Sequence, residues 1–186
     1  RAKKADTDIS ALVRWCLEEM DAAVIAIDAP CAWSTTGRGR PAEHALMQKH
    51  IWCFSSPTEA GAIAHPKKHY DWMRNGMALY DALAPTHPVR DPTAPGRERY
   101  CFETFPHAIT WHLRGGNANA KRKRAQRRAL LELLGIDQSE LTNIDCVDAA
   151  LCARTAYLAA TGAPVVAFGE VATGLIIVPA LAKHEG

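Results

Sequence analysis

The sequence lacks most of the short signatures that assign a protein at sight. None of its six cysteines (Cys16, Cys31, Cys53, Cys101, Cys146, Cys152) forms a C-x-x-C pair, which argues against a zinc ribbon or a thioredoxin-type site and suits free thiols in a reducing cytosol. No stretch approaches the roughly 18 apolar residues of a membrane span, and no charged-then-apolar signal segment opens the given sequence. A soluble cytoplasmic protein with no membrane partner is therefore expected. No glycine-rich phosphate loop is present, so nucleotide-driven motors and dehydrogenases are poorly supported, and neither a repeat nor a low-complexity tract is visible. A formal charge of +2 is too small for the whole molecule to select a partner, so electrostatics must be read from local clusters. The length, 186 residues, suits one domain with a sizeable core.

What is present is organised around Ala22-Ala23-Val24-Ile25-Ala26-Ile27-Asp28-Ala29-Pro30. An apolar, β-branched run without alternation predicts a central strand covered on both faces, and Pro30 removes the amide that would extend its ladder. Asp28 thus stands at a strand's carboxyl tip, where ligands and catalytic groups gather in α/β folds. Before it, Ile9, Leu12, Val13, Cys16, Leu17 and Met20 recur at helical spacing, with Thr7 or Asp8 as the cap. After it, the Ser/Thr/Gly-rich segment Cys31–Arg40 reads as a loop whose Arg38 and Arg40 either meet an anion or are simply solvated.

Pro41 predicts a helix to about His50, Ile51–Ala64 reads as irregular, and Pro66–Ala84 carries His69, Trp72, Met73, Met77, Tyr80 and Leu83 at helical spacing, a stripe read as core. Pro85, Pro88, Pro92 and Pro95 make Ala84–Arg99 a long surface loop. Arg99–Phe105 predicts a second strand, closed by Pro106. Its Glu103 would be costly there unless paired, exposed on an edge, or a metal ligand, and the metal or catalytic reading is preferred to the edge.

Past a Gly115–Asn117 turn, six of the eight residues Lys121, Arg122, Lys123, Arg124, Ala125, Gln126, Arg127 and Arg128 are basic, then leucines run to a Gly135 cap. Cations oppose the dipole at a helix start, so a bound phosphate backbone would rationalise the cluster; a solvated basic face is the commoner origin of such runs. In the helix expected over Ile144–Ala160, Ile144, Val147, Leu151 and Leu158 form the stripe and small Ala149, Ala150, Ala153 and Ala156 permit close approach to a sheet. Asp145 and Asp148 are neighbours beside that stripe, repelling each other unless a cation intervenes, although Asp145 also suits a helix's first turn. Val165–Phe168 and Leu175–Val178 predict a closing hairpin.

The ordered pieces I-D-A-P at Ile27–Pro30, E-T-F-P at Glu103–Pro106, L-L-E-L-L-G at Leu130–Gly135, D-x-x-D-A at Asp145–Ala149 and G-L-I-I-V-P at Gly174–Pro179, with the run Trp72–Leu83, resemble the domain-of-unknown-function family 429 from about Val24 onward. Members of that family are described as predicted nucleases, and the resemblance implies an α/β, RNase H-like fold: a mixed central sheet flanked by helices. RNase H-like nucleases, resolvases above all, carry acids on the first strand, at the end of the fourth strand and on the last helix. Asp28 matches the second position, and Asp145 with Asp148 the third. No strand acid precedes Asp28, because Asp6 and Asp8 occur in a helix-starting context, so the N-terminal strands are expected either to lie outside the given sequence, which starts at Arg1, or to be missing from this copy.

The resulting expectation is a metal-dependent nuclease with Asp28, Glu103, Asp145 and Asp148 as catalytic and metal-binding residues. Mg²⁺ or Mn²⁺ would be the cofactor, since paired hard cations activate water and stabilise a leaving oxygen in phosphodiester hydrolysis. Arg38, Arg40, Lys121, Arg122, Lys123, Arg124, Arg127 and Arg128 are the candidate nucleic-acid contacts, with DNA or RNA as partner. Two alternatives stand beside it: a non-catalytic nucleic-acid-binding module, and a phosphotransferase or hydrolase acting on a small phosphorylated molecule.

Overall fold

Four short strands among the described residues carry the arrangement. The computed structural model describes residues 8–94 and 98–181, so the candidate cap Thr7, together with Asp6 and Pro95, lies outside the described residues. Strands β1 (Val24–Ile27), β2 (Tyr100–Glu103), β3 (Val165–Glu170) and β4 (Gly174–Pro179) form one mixed sheet in the order β1-β2-β4-β3, flanked by helices. β1 and β2 are parallel, with Val24 beside Tyr100 and Ile27 beside Glu103. β2 and β4 are parallel as well, whereas β3 and β4 form the expected antiparallel hairpin.

The opening strand is therefore an edge of the sheet among the described residues, not its centre. Its unbroken apolar character has another cause: helices cover both of its faces. Ile25 and Ile27 contact Tyr80, Leu83, Val13 and Leu17, while Val24 and Ala26 lie with Tyr100, Phe102 and Ala156. Side chains alternate along a strand, so these two sets mark opposite faces. By the same alternation Glu103 falls on the face of Ile25 and Ile27, and Asp28, one residue past the strand, on the face of Val24 and Ala26.

The helices are α1 (Ile9–Arg14), α2 (Pro41–Gln48), α3 (Glu59–Ala64), α4 (Asp71–Leu83), α5 (Pro106–Leu113), α6 (Lys123–Leu133) and α7 (Ile144–Ala160). Asp8 caps α1, which continues as a wide π turn over Trp15–Glu19. α3 lies in a stretch expected to be irregular; Thr58 caps it by accepting from the Gly61 amide at 3.1 Å. α5 has no counterpart among the expected elements, although Pro106 at its first turn is a favoured helix start. The described residues of the loop 84–99 form no helix or strand, as expected, yet Val89 forms a parallel bridge with Cys101 and His87 is buried.

α4 and α7 both run against the direction of β1. Gly76 of α4 lies so close to Ala29, just past the strand's end, that a Cβ there would clash with the Ala29 methyl. The Tyr80 hydroxyl donates to the Ala29 carbonyl at 3.0 Å, and beyond the helix His87 reaches the Ala22 carbonyl at the strand's other end. The first turns of α4 and α7 accordingly stand at the carboxyl edge of the sheet. The expected α4 stripe is only partly core: Met73, Gly76, Tyr80 and Leu83 are buried, but Trp72 is exposed and His69 precedes the helix. On α7 the buried line is Val147, Leu151, Cys152, Thr155 and Ala156, whereas Ala149 and Ala153 face solvent. No helix among the described residues is long and apolar enough to cross a membrane.

Candidate functional site

α7 lies against β1, and α6 lies against α7. That layering brings Asp28, Asp145, Asp148 and Arg127 into one electrostatic neighbourhood. Asn143 caps α7 by accepting from the Cys146 amide at 2.9 Å, so Asp145 is free of the capping role and exposed on the first turn. Asp148, one turn on, is largely covered and accepts from Arg127 Nη1 at 2.5 Å. Asp28 makes no side-chain hydrogen bond or ion pair among the described residues. Its carboxyl is pushed up to about 7, chiefly by crowding from the protein and next by the charge of Asp148, with Arg127 opposing and Glu103 and Asp145 adding smaller upward pushes. Solvent does reach Asp28, and water moderates each of these effects. Burial also raises the Asp148 carboxyl, against the lowering charges of Arg127 and Lys123.

Arg127 was expected on the nucleic-acid face. It is instead buried, because it shares a helix face with Leu130, Leu131 and Leu134 at spacings of three, four and seven residues. Its Nε is a buried donor with no acceptor among the described residues. His107, at the start of α5, joins the neighbourhood: burial and then the charge of Arg127 hold its imidazole below the ordinary histidine range. Its position directly after E-T-F-P was the available sequence signal.

Glu103 and Arg40 are placed together, away from that group. Arg40 donates to both Glu103 oxygens at 2.7 Å, and the Cys31 amide donates to Glu103 Oε2 at 2.9 Å. Arg40 Nε reaches Glu43 Oε1 at 2.8 Å, and Ser56 donates to both Glu43 oxygens, its hydroxyl at 2.5 Å and its amide at 2.9 Å. Of the three ways to keep a glutamate in that strand, the structure uses pairing; β2 is an interior strand among the described residues, and both oxygens of Glu103 are engaged by Arg40. Burial favours neutral Glu103, but the hydrogen bonds and charge of Arg40 oppose it, and Arg40 is held firmly protonated by Glu103 and Glu43 despite its burial. A Cβ on Gly174 would meet Arg40 Nη1 at 2.5 Å, so the chain narrows to glycine where the guanidinium passes.

Among the other expected basic contacts, Arg38 is exposed in the loop after β1, and Lys121, Arg122, Lys123 and Arg124 are exposed. Lys121, Arg122 and Arg124 line a surface depression of about 470 Å³ with Ala125 and Arg128. Arg128 is also structural, donating to Gln138 Oε1 at 3.2 Å and to the Leu141 carbonyl at 2.5 Å. Gly135, at φ +67°, closes the helix as expected. Among the described residues, no three His, Cys, Asp or Glu side chains stand close enough to hold a metal ion together.

A family model described as "Protein of unknown function (DUF429)" matches residues 3–173. The chain belongs to this family. The DUF429 match spans every element from β1 through β3, including all four candidate acids. No curated protein and no solved structure matches the chain.

Proposed function

We propose that this DUF429 protein is a metal-dependent nuclease of RNase H-like fold, hydrolysing phosphodiesters at the carboxyl edge of β1. The observation that carries the reading is the unpaired Asp28 carboxylate beside Asp148 and Asp145. Three acids share one arginine, an excess of negative charge that a divalent cation would offset. Their hard oxygen donors suit Mg²⁺ or Mn²⁺ rather than a soft metal, and two of the three remain open to solvent. The parallel β1–β2 pair, with α7 laid antiparallel on β1, supports the fold assignment.

In this reading Asp28, Asp145 and Asp148, which as they stand are not close enough together to coordinate one ion, would have to draw together to hold the cation, which would supply an activated water and charge stabilisation on the leaving oxygen. Arg127 orients Asp148 and opposes the upward push of burial on its carboxyl. His107, whose imidazole burial and the charge of Arg127 hold below the ordinary histidine range, is the candidate in this reading to accept or relay a proton. Lys121, Arg122 and Arg124 attract the nucleic-acid backbone along their shared depression. Glu103 and Arg40 contribute rigidity to the strand end, not ligands.

Purified protein incubated with Mg²⁺ or Mn²⁺ and single- or double-stranded DNA and RNA should cleave at least one substrate. The Asp28→Asn, Asp148→Asn double variant should not. Cleavage retained in that variant overturns the proposal, and salt-sensitive binding without cleavage under either metal would favour a non-catalytic nucleic-acid-binding module.

A further inference from the structure

The first turn of α4 and the loop before α3 expose a group of aromatic side chains that the core does not use. Trp52 is 69% exposed, Phe54 68% and Trp72 43%. Phe54 meets Trp72 edge to face with ring centroids 6.3 Å apart, and meets His69 in the same manner at 6.4 Å. His69 in turn adjoins His65 and Tyr70, at 5.4 and 4.8 Å. Edge-to-face contacts hold the rings in fixed relative positions without stacking their faces on one another.

Two further observations narrow what such a surface receives. Lys67 and Lys68, just before His69, and Arg74, just after Trp72, are exposed; Arg74 pairs with Asp71 at 3.5 Å, so the two lysines leave the surround net positive. Its position is also informative. Trp72 lies one turn before Gly76, whose backbone abuts Ala29, the residue after Asp28. The Ser34 amide donates to the Pro57 carbonyl at 3.0 Å, tying the loop that follows Asp28 to the loop that carries Phe54. The aromatic group and the acids therefore border the same sheet edge from opposite faces of β1, and a strand crossing that edge passes from one to the other.

We infer that Phe54, Trp72 and His69 form a stacking platform for unpaired bases, with Lys67, Lys68 and Arg74 on the adjoining phosphates, and that the substrate at this edge is single-stranded nucleic acid. Base–aromatic stacking is tolerant of sequence because every base has a π face, and combined with basic side chains it is the usual means of holding a single strand. The inference rests on the nuclease reading, since it names the form of that substrate.

The test uses Asp28→Asn protein without divalent metal, so that binding is read with no cleavage, and a fluorescent oligothymidylate of about 15 nucleotides beside a duplex of equal length. Adding Phe54→Leu and Trp72→Leu keeps apolar area but removes the π faces. Single-strand affinity should fall about ten- to a hundredfold, duplex affinity should be unchanged, and Trp72→Phe should restore most of the loss. Because Phe54 is mostly exposed and Trp72 nearly half exposed, thermal melting should change little. Unchanged single-strand affinity in the leucine variants, while wild-type protein still cleaves, overturns the platform alone. Failure of wild-type protein to bind or cleave any nucleic acid overturns the nuclease reading with it. A dimer that dissociates in the leucine variants, with oligonucleotide binding intact, would assign the surface to a second copy of the chain instead.

Discussion

Two carboxylates end adjacent parallel strands of this sheet, and they have opposite fates. Glu103 is buried, bidentately paired with Arg40 and joined through it to Glu43 and Ser56. Asp28, one residue beyond the partner of Glu103 in register, reaches solvent and pairs with nothing among the described residues. One residue of offset decides the difference, because alternation sends the two side chains to opposite faces of the sheet. On one face the chain closes a network around the acid; on the other, α6 and α7 gather more acids and a single arginine. An anion with both oxygens paired to a buried cation stabilises structure, and an anion left unmatched beside others is available for chemistry.

The sharpest way to break this comparison is Arg40→Met. It would strand two buried carboxylates, and removing one partner of such a network costs about 3–5 kcal/mol. Urea unfolding should show a loss of that size, and a loss below about 1 kcal/mol would mean that the network is not the structural member of the pair. Next in size is the contrast in activity. If the proposed nuclease reading holds, Asp28→Asn should lower cleavage by at least about a hundredfold, the upper end of what even a supporting residue at a metal site costs. Glu103→Gln should act chiefly on stability, by about 1–3 kcal/mol. Comparable activity losses per folded molecule would place both acids in one site.

The strand positions of both acids were legible in the sequence; their partners were not. Val24–Ile27 and Tyr100–Glu103 announced themselves by composition and by the prolines that follow. Edge or centre, however, depends on which strands pair, and β4 enters the sheet next to β2 from far along the chain. The pairing of Glu103 with Arg40 spans sixty-three residues and leaves no local pattern. Arg127 was a readable case: its spacing to Leu130, Leu131 and Leu134 placed it on the buried face, but six basic residues in eight hid that signal. The α4 stripe misled in the opposite sense, since Trp72 shares the helix with Met73 but not its buried face.

A smaller effect separates the two acids by pH. Folded Asp28 keeps its proton up to about 7, whereas an unfolded aspartate releases it near about 3.9. Between those values the folded state binds more protons than the unfolded state, so this residue makes stability fall as pH rises, and the fall ends above the folded pKa. Asp28→Asn removes that slope. Melting curves of variant and wild type should coincide near the acid end and part as pH rises, with the variant the more stable at about pH 8. Solvent at Asp28 keeps the gap modest. A variant less stable than wild type at neutral pH would show that Asp28 is satisfied by a partner, as Glu103 is, and would remove the contrast on which the site rests.

The basic segment contains the same division in miniature, and it supplies the smallest expected change. Arg127 and Arg128 hold α6 to Asp148 and to the segment after Gly135, whereas Lys121, Arg122 and Arg124 are exposed around their depression. Replacing the exposed three with glutamine should alter folding stability by no more than about 0.5 kcal/mol. If they hold phosphates, the slope of log affinity against log salt should become shallower by about 0.7 for each single-strand phosphate that is no longer neutralised. Arg127→Gln should do the reverse. It should weaken folding and raise the Asp28 pKa further by removing the lowering influence upon it, yet leave the salt slope nearly unchanged. An equal change of slope in both variants would mean that Arg127 leaves Asp148 to meet the backbone directly, which would make the buried arginine part of the nucleic-acid surface rather than the counter-charge of the acids.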